Sequence, residues 1–182
     1  MADVKAVCVF CGARNEVPKA HLEAGVTFGG MLAERGIRLV YGGGDCGVMG
    51  AVANAVLKHK GKVTGVFPRS LKNLESEHAS LSEIIMVESM HERKRIMFER
   101  SDAIVVLPGG FGTMDEMFEI ITWKQLRFHE KPIVIFNHLG YWDPLVVLME
   151  NIINIGFARP ETRDLYTVVD SLEDVLKAVG AA

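Results

Sequence analysis

The chain has 182 residues, of which 49% are hydrophobic and 24% are charged, and its formal net charge is −3. These values are typical of a soluble domain with a hydrophobic core, so a single domain spanning residues 1–182 is predicted. The lack of a basic excess argues against nucleic-acid binding, and no apolar stretch reaches the roughly 18–20 residues of a membrane span. The N-terminal residues lack the pattern of a signal peptide, so the expected location is the cytoplasm.

Strands and helices are predicted to alternate along the whole chain. Short apolar runs predict strands, in chain order, at residues 4–10, 37–41, 62–67, 84–87, 103–107, 133–136 and 165–169. Helical spacing predicts helices at 18–35, 47–59, 89–100, 114–126, 143–155 and 171–178, with Asp143 and Ser171 as N-caps. This alternation is typical of an α/β fold, a doubly wound, Rossmann-like parallel sheet with helices on both faces.

The three cysteines, Cys8, Cys11 and Cys46, are too few for a disulfide framework. Cys8 and Cys11 form a C-x-x-C pattern, but both lie at the first predicted strand. Residues three apart on a strand point to opposite faces, whereas a redox pair needs a helix N-terminus. Buried structural cysteines are therefore favoured over a redox or metal pair, which is the alternative interpretation.

Three of the predicted strands lead into loops that contain glycine. Gly12 follows the first strand, residues 42–50 follow the second, and residues 109–112 follow the fifth. In a doubly wound sheet, ligands bind at the carboxyl ends of the strands. The three loops are therefore expected to converge on one crevice.

The second of these loops matches a dinucleotide-binding pattern, because Gly42, Gly44 and Gly47 form G-x-G-x-x-G. That function needs an acidic residue at the end of the next strand, which ends instead in Phe67-Pro68. A nicotinamide or flavin site is therefore disfavoured. Two interpretations stay open: a tight turn with close helix–strand packing, or a loop that lines a substrate site of another kind.

The loop Gly109–Gly112 leads from a buried strand into a helix. Glycine lets the backbone approach a ligand closely, and the N–H groups of a helix start favour an anion, with phosphate as the first hypothesis. Thr113 and Glu116 also match a capping box, in which Thr113 is the N-cap and Glu116 bonds back to it. Alternatively, Glu116 faces the crevice and acts on the substrate, and spacing alone leaves both interpretations open.

Arg93 and Lys94 lie near the first turn of a predicted helix, where cations oppose the helix macrodipole. An anion in the same site would explain them, because arginine grips phosphate or carboxylate with two parallel hydrogen bonds. The six histidines show no spacing of metal ligands, so no metal site is expected.

Taken together, these motifs closely resemble those of the Lonely guy family, the cytokinin riboside 5′-monophosphate phosphoribohydrolases, a family often labelled possible lysine decarboxylase. The segments that carry the resemblance are P-G-G-x-G-T-x-x-E at residues 108–116, Tyr-Gly-Gly-Gly at 41–44, Gly-Val-Met-Gly at 47–50, and Ser-Met-His-Glu-Arg-Lys at 89–94. The resemblance extends from residue 7 to residue 157. The individual motifs are not decisive, but their order and spacing together are specific to this family.

The resemblance implies hydrolysis of the N-glycosidic bond of an N6-modified adenosine monophosphate, with no metal or organic cofactor. It implies that Arg93 and Glu116 are the catalytic pair. It further implies substrate binding by Gly43, Gly44, Glu75, Lys94, Gly109, Gly110, Phe111, Gly112, Thr113 and Asp115. A small-molecule nucleoside monophosphate is thus the expected partner, and the family implies a homodimer with the helices after Ser89 and Thr113 near the interface.

One departure from the family pattern concerns the first loop, where Ala13 and Arg14 stand in place of the family's usual two serines. If a serine there helps to bind phosphate, Ala13 cannot replace it, so Arg14 or Asn15 is the expected substitute. Two alternative functions remain open: a general nucleosidase for AMP or other nucleoside monophosphates, and a nucleotide-binding sensor or carrier without hydrolysis. Decarboxylation is disfavoured, because no lysine has the recognisable setting of a Schiff-base residue.

Overall fold

The computed structural model describes residues 4–71, 78 and 80–181. Seven parallel strands form one sheet: β1 (Ala6–Phe10), β2 (Arg38–Tyr41), β3 (Val63–Pro68), β4 (Glu83–Val87), β5 (Ala103–Val106), β6 (Ile133–Phe136) and β7 (Thr167–Val169). Six α-helices connect or follow them: α1 (Lys19–Glu34), α2 (Gly47–Lys58), α3 (Met90–Glu99), α4 (Phe111–Gln125), α5 (Asp143–Asn154) and α6 (Leu172–Val179). Short 3₁₀ turns lie at Arg69–Leu71, His138–Gly140 and Pro160–Leu165.

The strand order across the sheet is β4-β3-β2-β1-β5-β6-β7. The chain therefore winds outward from β1 to β4, then returns to the other side of β1 and winds outward again to β7. This confirms the predicted doubly wound parallel sheet. The reversal places a topological switch point between β1 and β5, where sheets of this kind open a crevice for ligands.

Each face of the sheet carries its own hydrophobic core, which confirms that helices cover both faces. One core contains buried residues of α1, α2 and α6, and the other contains buried residues of α3, α4 and α5. Strand alternation sends Cys11 into the first core and Cys8 into the second. Both are buried free thiols, and burial raises the pKa of each, as expected for structural cysteines.

Two predicted N-caps differ from the structure. Helix α4 begins at Phe111 with Gly110 as its N-cap, so Thr113 is the third helical residue and its prediction as N-cap was wrong. The N-cap of α5 is Trp142, and Asp143 is the first residue of that helix. The prediction for α6 is confirmed, because the Ser171 side chain accepts a hydrogen bond from the Asp174 N–H. Within the described ranges, no helix is both long and apolar enough to cross a membrane.

Candidate active site

A cavity of about 420 Å³ opens at the switch point of the sheet. The loops after β1 and β5 form two of its sides, and the N–H of Gly12 joins these loops by donating to the Pro108 carbonyl over 3.1 Å. The described residues that line it are Cys11, Gly12, Ala13, Arg14, Val17, Pro18, His21, Val48, Met49, Met90, Arg93, Pro108, Gly109, Gly110, Gly112, Thr113, Glu116 and Tyr141. The cavity thus contains both predicted catalytic residues and four of the predicted binding residues.

Arg93 and Glu116 form a buried ion pair at this cavity. Arg93 Nη1 lies 3.2 Å from Glu116 Oε1, and the two side chains are only 8% and 9% exposed. Helical spacing places each side chain on the buried face of its own helix: Arg93 shares one face of α3 with the core residue Met97, and Glu116 lies one turn after Thr113 on the inner face of α4. The pairing of residues 23 positions apart was expected from the resemblance and not from spacing.

The remaining donors of Arg93 hold it in place. Its Nε donates to the carbonyl of Val66 and its Nη2 to the carbonyl of Gly42, each over 3.1 Å. A Cβ on Gly42 would collide with the guanidinium, so glycine is required there for the arginine to reach this position. Arg93 is therefore held by backbone carbonyls at the ends of β2 and β3, and its Nη1 donates to Glu116.

The environment of Glu116 raises its pKa from 4.5 to about 7. Burial is the largest cause, because it disfavours the charged carboxylate, and the positive charge of Arg93 opposes this effect. Asp115 adds a smaller upward contribution through like-charge repulsion. A carboxyl group with this pKa is present in both protonation states near neutral pH, which suits proton transfer.

The loop before α4 and the first turn of that helix form another wall of the cavity. Their three glycines differ in how much space lies beside the Cα atom. A Cβ on Gly110 or Gly112 would meet no protein atom within 4 Å. A Cβ on Gly109, by contrast, would collide with the Thr113 side chain and the backbone of Gly12. No side chain of the described residues caps this helix, so its N–H groups face a cavity with room for an anion.

The loop after β1 is fixed through Asn15. The side-chain oxygen of Asn15 accepts a hydrogen bond from the Gly47 N–H over 2.8 Å, which joins this loop to the start of α2. The side chain of Arg14 borders the cavity and is 84% exposed, and its Nε lies 3.8 Å from Glu16 Oε2. Of the two expected substitutes for the family's serines, Asn15 is thus engaged by the fold and Arg14 is available.

Tyr141 and His21 line the cavity but were not predicted from the sequence. The Tyr141 hydroxyl donates to the Gly109 carbonyl over 2.7 Å, and the His21 ring packs edge-on against Tyr141. His21 Nδ1 also lies 3.0 Å from His138 Nδ1, and burial together with His138 lowers the pKa of His21. Neither residue belongs to a motif. Their sequence signal is position alone: His21 follows β1, which borders the switch point, and Tyr141 follows β6, the neighbour of β5.

Lys94 does not line the cavity wall. Its side chain is 6% exposed, and its Nζ lies 3.0 Å from Asp115 Oδ2 and 3.1 Å from Glu119 Oε2. Burial alone would lower the pKa of Lys94, but the hydrogen bonds to these carboxylates raise it above its usual value. Lys94 and Asp115 therefore join α3 to α4 beside the cavity.

The other predicted binding residues are also placed away from the cavity wall. Gly43 and Gly44 are buried, and the Gly43 carbonyl accepts a hydrogen bond from the His78 N–H over 3.0 Å. The Phe111 side chain is 88% exposed and faces solvent. Glu75 lies outside the described residues.

The rest of the cavity wall is largely apolar. Its apolar members come from the loop after β1, from α2 and from α3, and they are Ala13, Val17, Pro18, Val48, Met49 and Met90. Across the described part of the chain, no group of three or more His, Cys, Asp or Glu side chains is placed to hold a metal ion. The site therefore combines a buried acid–base pair, an uncapped helix start and an apolar surface.

Comparisons with known proteins identify the family of the chain. The family model described as possible lysine decarboxylase matches residues 49–179. Over 170 residues the chain is 42% identical to a protein of Oryza sativa subsp. japonica named probable cytokinin riboside 5′-monophosphate phosphoribohydrolase LOGL5, covering 93% of this chain and 69% of that protein. Over 177 residues it is 36% identical to the cytokinin riboside 5′-monophosphate phosphoribohydrolase LOG5 of Arabidopsis thaliana, covering 97% and 78%.

Among solved structures, the molybdenum cofactor binding protein of Rippkaea orientalis is similar with a TM-score of 0.75. The alignment covers 100% of this chain and 98% of that one at 17% identity, so it shows a shared fold alone. The sequence matches are closer and extend over most of both chains. From them and from the matching family model, the chain belongs to the Lonely guy family, whose curated members carry the name cytokinin riboside 5′-monophosphate phosphoribohydrolase.

Proposed function

We propose that this protein hydrolyses the N-glycosidic bond of N6-modified adenosine 5′-monophosphates and releases the free base and ribose 5-phosphate. The observation that carries the proposal is the buried ion pair of Arg93 and Glu116 at the wall of a cavity. Burying a charged pair costs several kcal/mol of desolvation, which a site that only binds would not need. This cost argues against the alternative of a sensor or carrier without hydrolysis.

The phosphate of the substrate is assigned to the first turn of α4. The open space beside Gly110 and Gly112 and the uncapped helix start are the supporting observations. Backbone N–H groups and the helix dipole both favour a negative group there. Thr113, which is buried and borders the cavity, is placed to add a hydroxyl to the same site.

The apolar wall supports a substituted base over unmodified adenine. Val17, Val48 and Met90 are among the side chains that an N6 substituent without polar groups would cover. Each apolar carbon removed from water contributes about 0.8 kcal/mol, so such a substituent adds affinity that AMP lacks. A general nucleoside-monophosphate nucleosidase remains the alternative, and relative turnover of the two substrates separates them.

Glu116 is assigned the proton transfers of the reaction. As a carboxylate it takes a proton from the water whose oxygen bonds to C1′, while the electron pair of the C1′–N bond goes to the base. The proton then passes to the departing base, so Glu116 returns to its starting state. Each of the three Arg93 nitrogens already donates to Glu116 or to a backbone carbonyl, which favours an orienting role over contact with the nucleotide.

Lysine decarboxylation, named in the description of the family model, is not supported by this site. Pyridoxal chemistry requires a lysine whose amine is neutral enough to form a Schiff base. No lysine is among the described residues that line the cavity. The nearby Lys94 is held by two carboxylates that raise its pKa, which keeps it charged.

The test is product analysis with AMP and N6-isopentenyl-AMP. Wild-type protein is expected to release free base, with a higher kcat/KM for the N6-substituted nucleotide. Arg93→Ala and Glu116→Ala are each expected to lose at least roughly a hundredfold in kcat, the usual size of a general acid–base contribution. Equal kcat/KM for the two nucleotides would instead favour the general nucleosidase.

Matched controls come from the same helix as Arg93. Arg95 and Glu99 form an exposed ion pair on α3 with a 2.8 Å separation, so Arg95→Ala and Glu99→Ala make the same chemical changes away from the cavity. Both controls are expected to keep wild-type turnover. Unchanged turnover in Glu116→Ala would contradict the catalytic assignment.

A homodimer with α3 and α4 near the interface is part of the proposal. Phe111, Phe118, Leu126 and Phe128 expose apolar side chains on or just after α4, and Phe111 is the most exposed of them. An apolar surface of this kind is typical of a contact between subunits. Light scattering of purified protein is expected to give the mass of a dimer, and Phe111→Glu is expected to shift it toward a monomer.

A further inference from the structure

We propose that Arg14 is a specificity-determining residue that selects the phosphorylated form of the substrate. The inference rests on the proposed function, and it concerns a residue that differs from the usual sequence of the family at this loop. Its basis is the charge balance among the described residues of the cavity wall, where Arg93 is paired with Glu116 in a buried contact and Arg14 has only an exposed, weak partner.

Two arginines are found among the described residues that line the cavity. Arg93 is buried, its positive charge faces Glu116, and three of its five N–H groups donate to Glu116 and to the Val66 and Gly42 carbonyls. Arg14 lies 3.8 Å from Glu16, and the two side chains are 84% and 78% exposed. An exposed pair at this distance is weak and is screened by salt, so a dianionic phosphate competes easily for the guanidinium.

The backbone of Arg14 is held in place, whereas its guanidinium is exposed and only weakly paired. Asn15 accepts a hydrogen bond from the Gly47 N–H, Gly47 has a φ of +61°, and a Cβ there would collide with the backbone of residues 13 and 14. The Gly12 N–H bonds to the Pro108 carbonyl, which keeps this loop beside the first turn of α4. Arg14 can therefore form a bidentate contact with a phosphate at α4 at little cost in backbone order.

Kinetics of three variants test this inference. Arg14→Ser is expected to raise KM for N6-isopentenyl-AMP about tenfold with little change in kcat, the size of one charge-assisted hydrogen bond. Arg14→Lys keeps the charge but loses the fork, so an intermediate KM is expected. Glu16→Gln removes the competing carboxylate and is expected to lower KM. Added salt is expected to raise KM more in wild type than in Arg14→Ser.

Binding of ribose 5-phosphate, measured by calorimetry, separates this inference from the hydrolase proposal because it requires no turnover. Arg14→Ser is expected to weaken ribose 5-phosphate about tenfold and to leave adenosine, which has no phosphate, unchanged. If wild type hydrolyses the nucleotide but Arg14→Ser keeps wild-type KM and ribose 5-phosphate affinity, the role of Arg14 is overturned and the hydrolase stands. If wild type releases no base but the binding difference is seen, the hydrolase is overturned and the phosphate contact stands.

Discussion

Two glycine-rich turns join strands to helices at this cavity, and they differ in what fills the space around them. In the turn before α2, protein atoms fill it: the Gly47 N–H donates to Asn15, the Met49 N–H donates to the Gly12 carbonyl, and a Cβ on Gly50 would collide with the Asp45 carbonyl. In the turn before α4, Gly110 and Gly112 border open space and no described side chain caps the helix.

This difference separates a structural turn from a binding turn. The turn before α2 needs glycine for packing, and through Gly42 it fixes Arg93. In the turn before α4, a side chain at residue 110 or 112 would meet no protein atom. We therefore infer that glycine is needed there to let a ligand approach the backbone closely. Of the two interpretations of residues 42–50 that the sequence left open, close packing accounts for the glycines, and Val48 and Met49 of the same segment also line the cavity.

Gly42→Ala is the variant with the largest expected effect on the turn before α2. The added Cβ would collide with the guanidinium of Arg93 and push it away from Glu116. Breaking a buried ion pair costs about 3–5 kcal/mol, so we expect a loss of unfolding free energy of that size and at least a roughly hundredfold loss of kcat. Urea denaturation and product analysis measure the two effects.

A matched control for this variant is Gly30→Ala on α1. A Cβ there would lie 3.7 Å from the His59 ring, which is ordinary contact, so activity is expected to stay near wild type and the unfolding free energy to rise by up to about 1 kcal/mol. Gly42→Ala with wild-type activity would show that the position of Arg93 does not depend on this glycine.

The fold was predictable from the sequence because its signals are local. Continuous apolar runs gave all seven strands, and glycine or proline near their ends gave most boundaries within one or two residues. The start of α4 was misplaced because Thr113 and Glu116 match a capping box by spacing, and that pattern cannot show that Gly110 is the N-cap. The helix therefore begins one turn earlier than predicted.

The site was predictable only in part, because its geometry depends on contacts between distant segments. Resemblance led to Arg93 and Glu116, but nothing in the sequence indicates that the carbonyls of Val66 and Gly42 hold the arginine. Glycine content alone could not separate the two turns, because it does not show what occupies the space beside each Cα. Tyr141 belongs to no motif, and its hydrogen bond to Gly109 is seen only in three dimensions.

Glu116→Gln is expected to change how stability depends on pH. The pKa of Glu116 is raised from 4.5 to about 7, so the folded state binds this proton more tightly than the unfolded state. The associated stability is fully present below pH 4.5 and is lost as the pH rises through about 7, a difference of about 3 kcal/mol. Glutamine mimics the protonated acid and lacks this titration.

Urea denaturation of wild type and Glu116→Gln over this pH range isolates the effect, because other titrating groups cancel in the difference. The two free energies of unfolding are expected to be similar near pH 4.5, and wild type is expected to fall below the variant as the pH rises. A constant difference across the range would contradict the raised pKa. Because the carboxylate accepts the proton from water, kcat of wild type is also expected to decrease as the pH falls below about 7.

Gly112→Ala and Gly50→Ala compare the two turns directly, since each glycine lies in the first turn of its helix. Gly112→Ala adds a methyl group to open space, so we expect a gain of about 0.5–1 kcal/mol in unfolding free energy and a KM roughly tenfold higher. Gly50→Ala presses a methyl group against the Asp45 carbonyl, so we expect a loss of more than about 1 kcal/mol with little change in KM.

The two variants are informative because they are expected to change the unfolding free energy in opposite directions, whereas only Gly112→Ala is expected to raise KM. A ligand explains why glycine at residue 112 is kept although alanine would stabilise the helix, whereas packing alone explains residue 50. If Gly112→Ala keeps wild-type KM, the open space beside α4 does not hold the phosphate. The anion site would then lie elsewhere along the cavity wall, and the turn before α4 could no longer be interpreted as the binding turn.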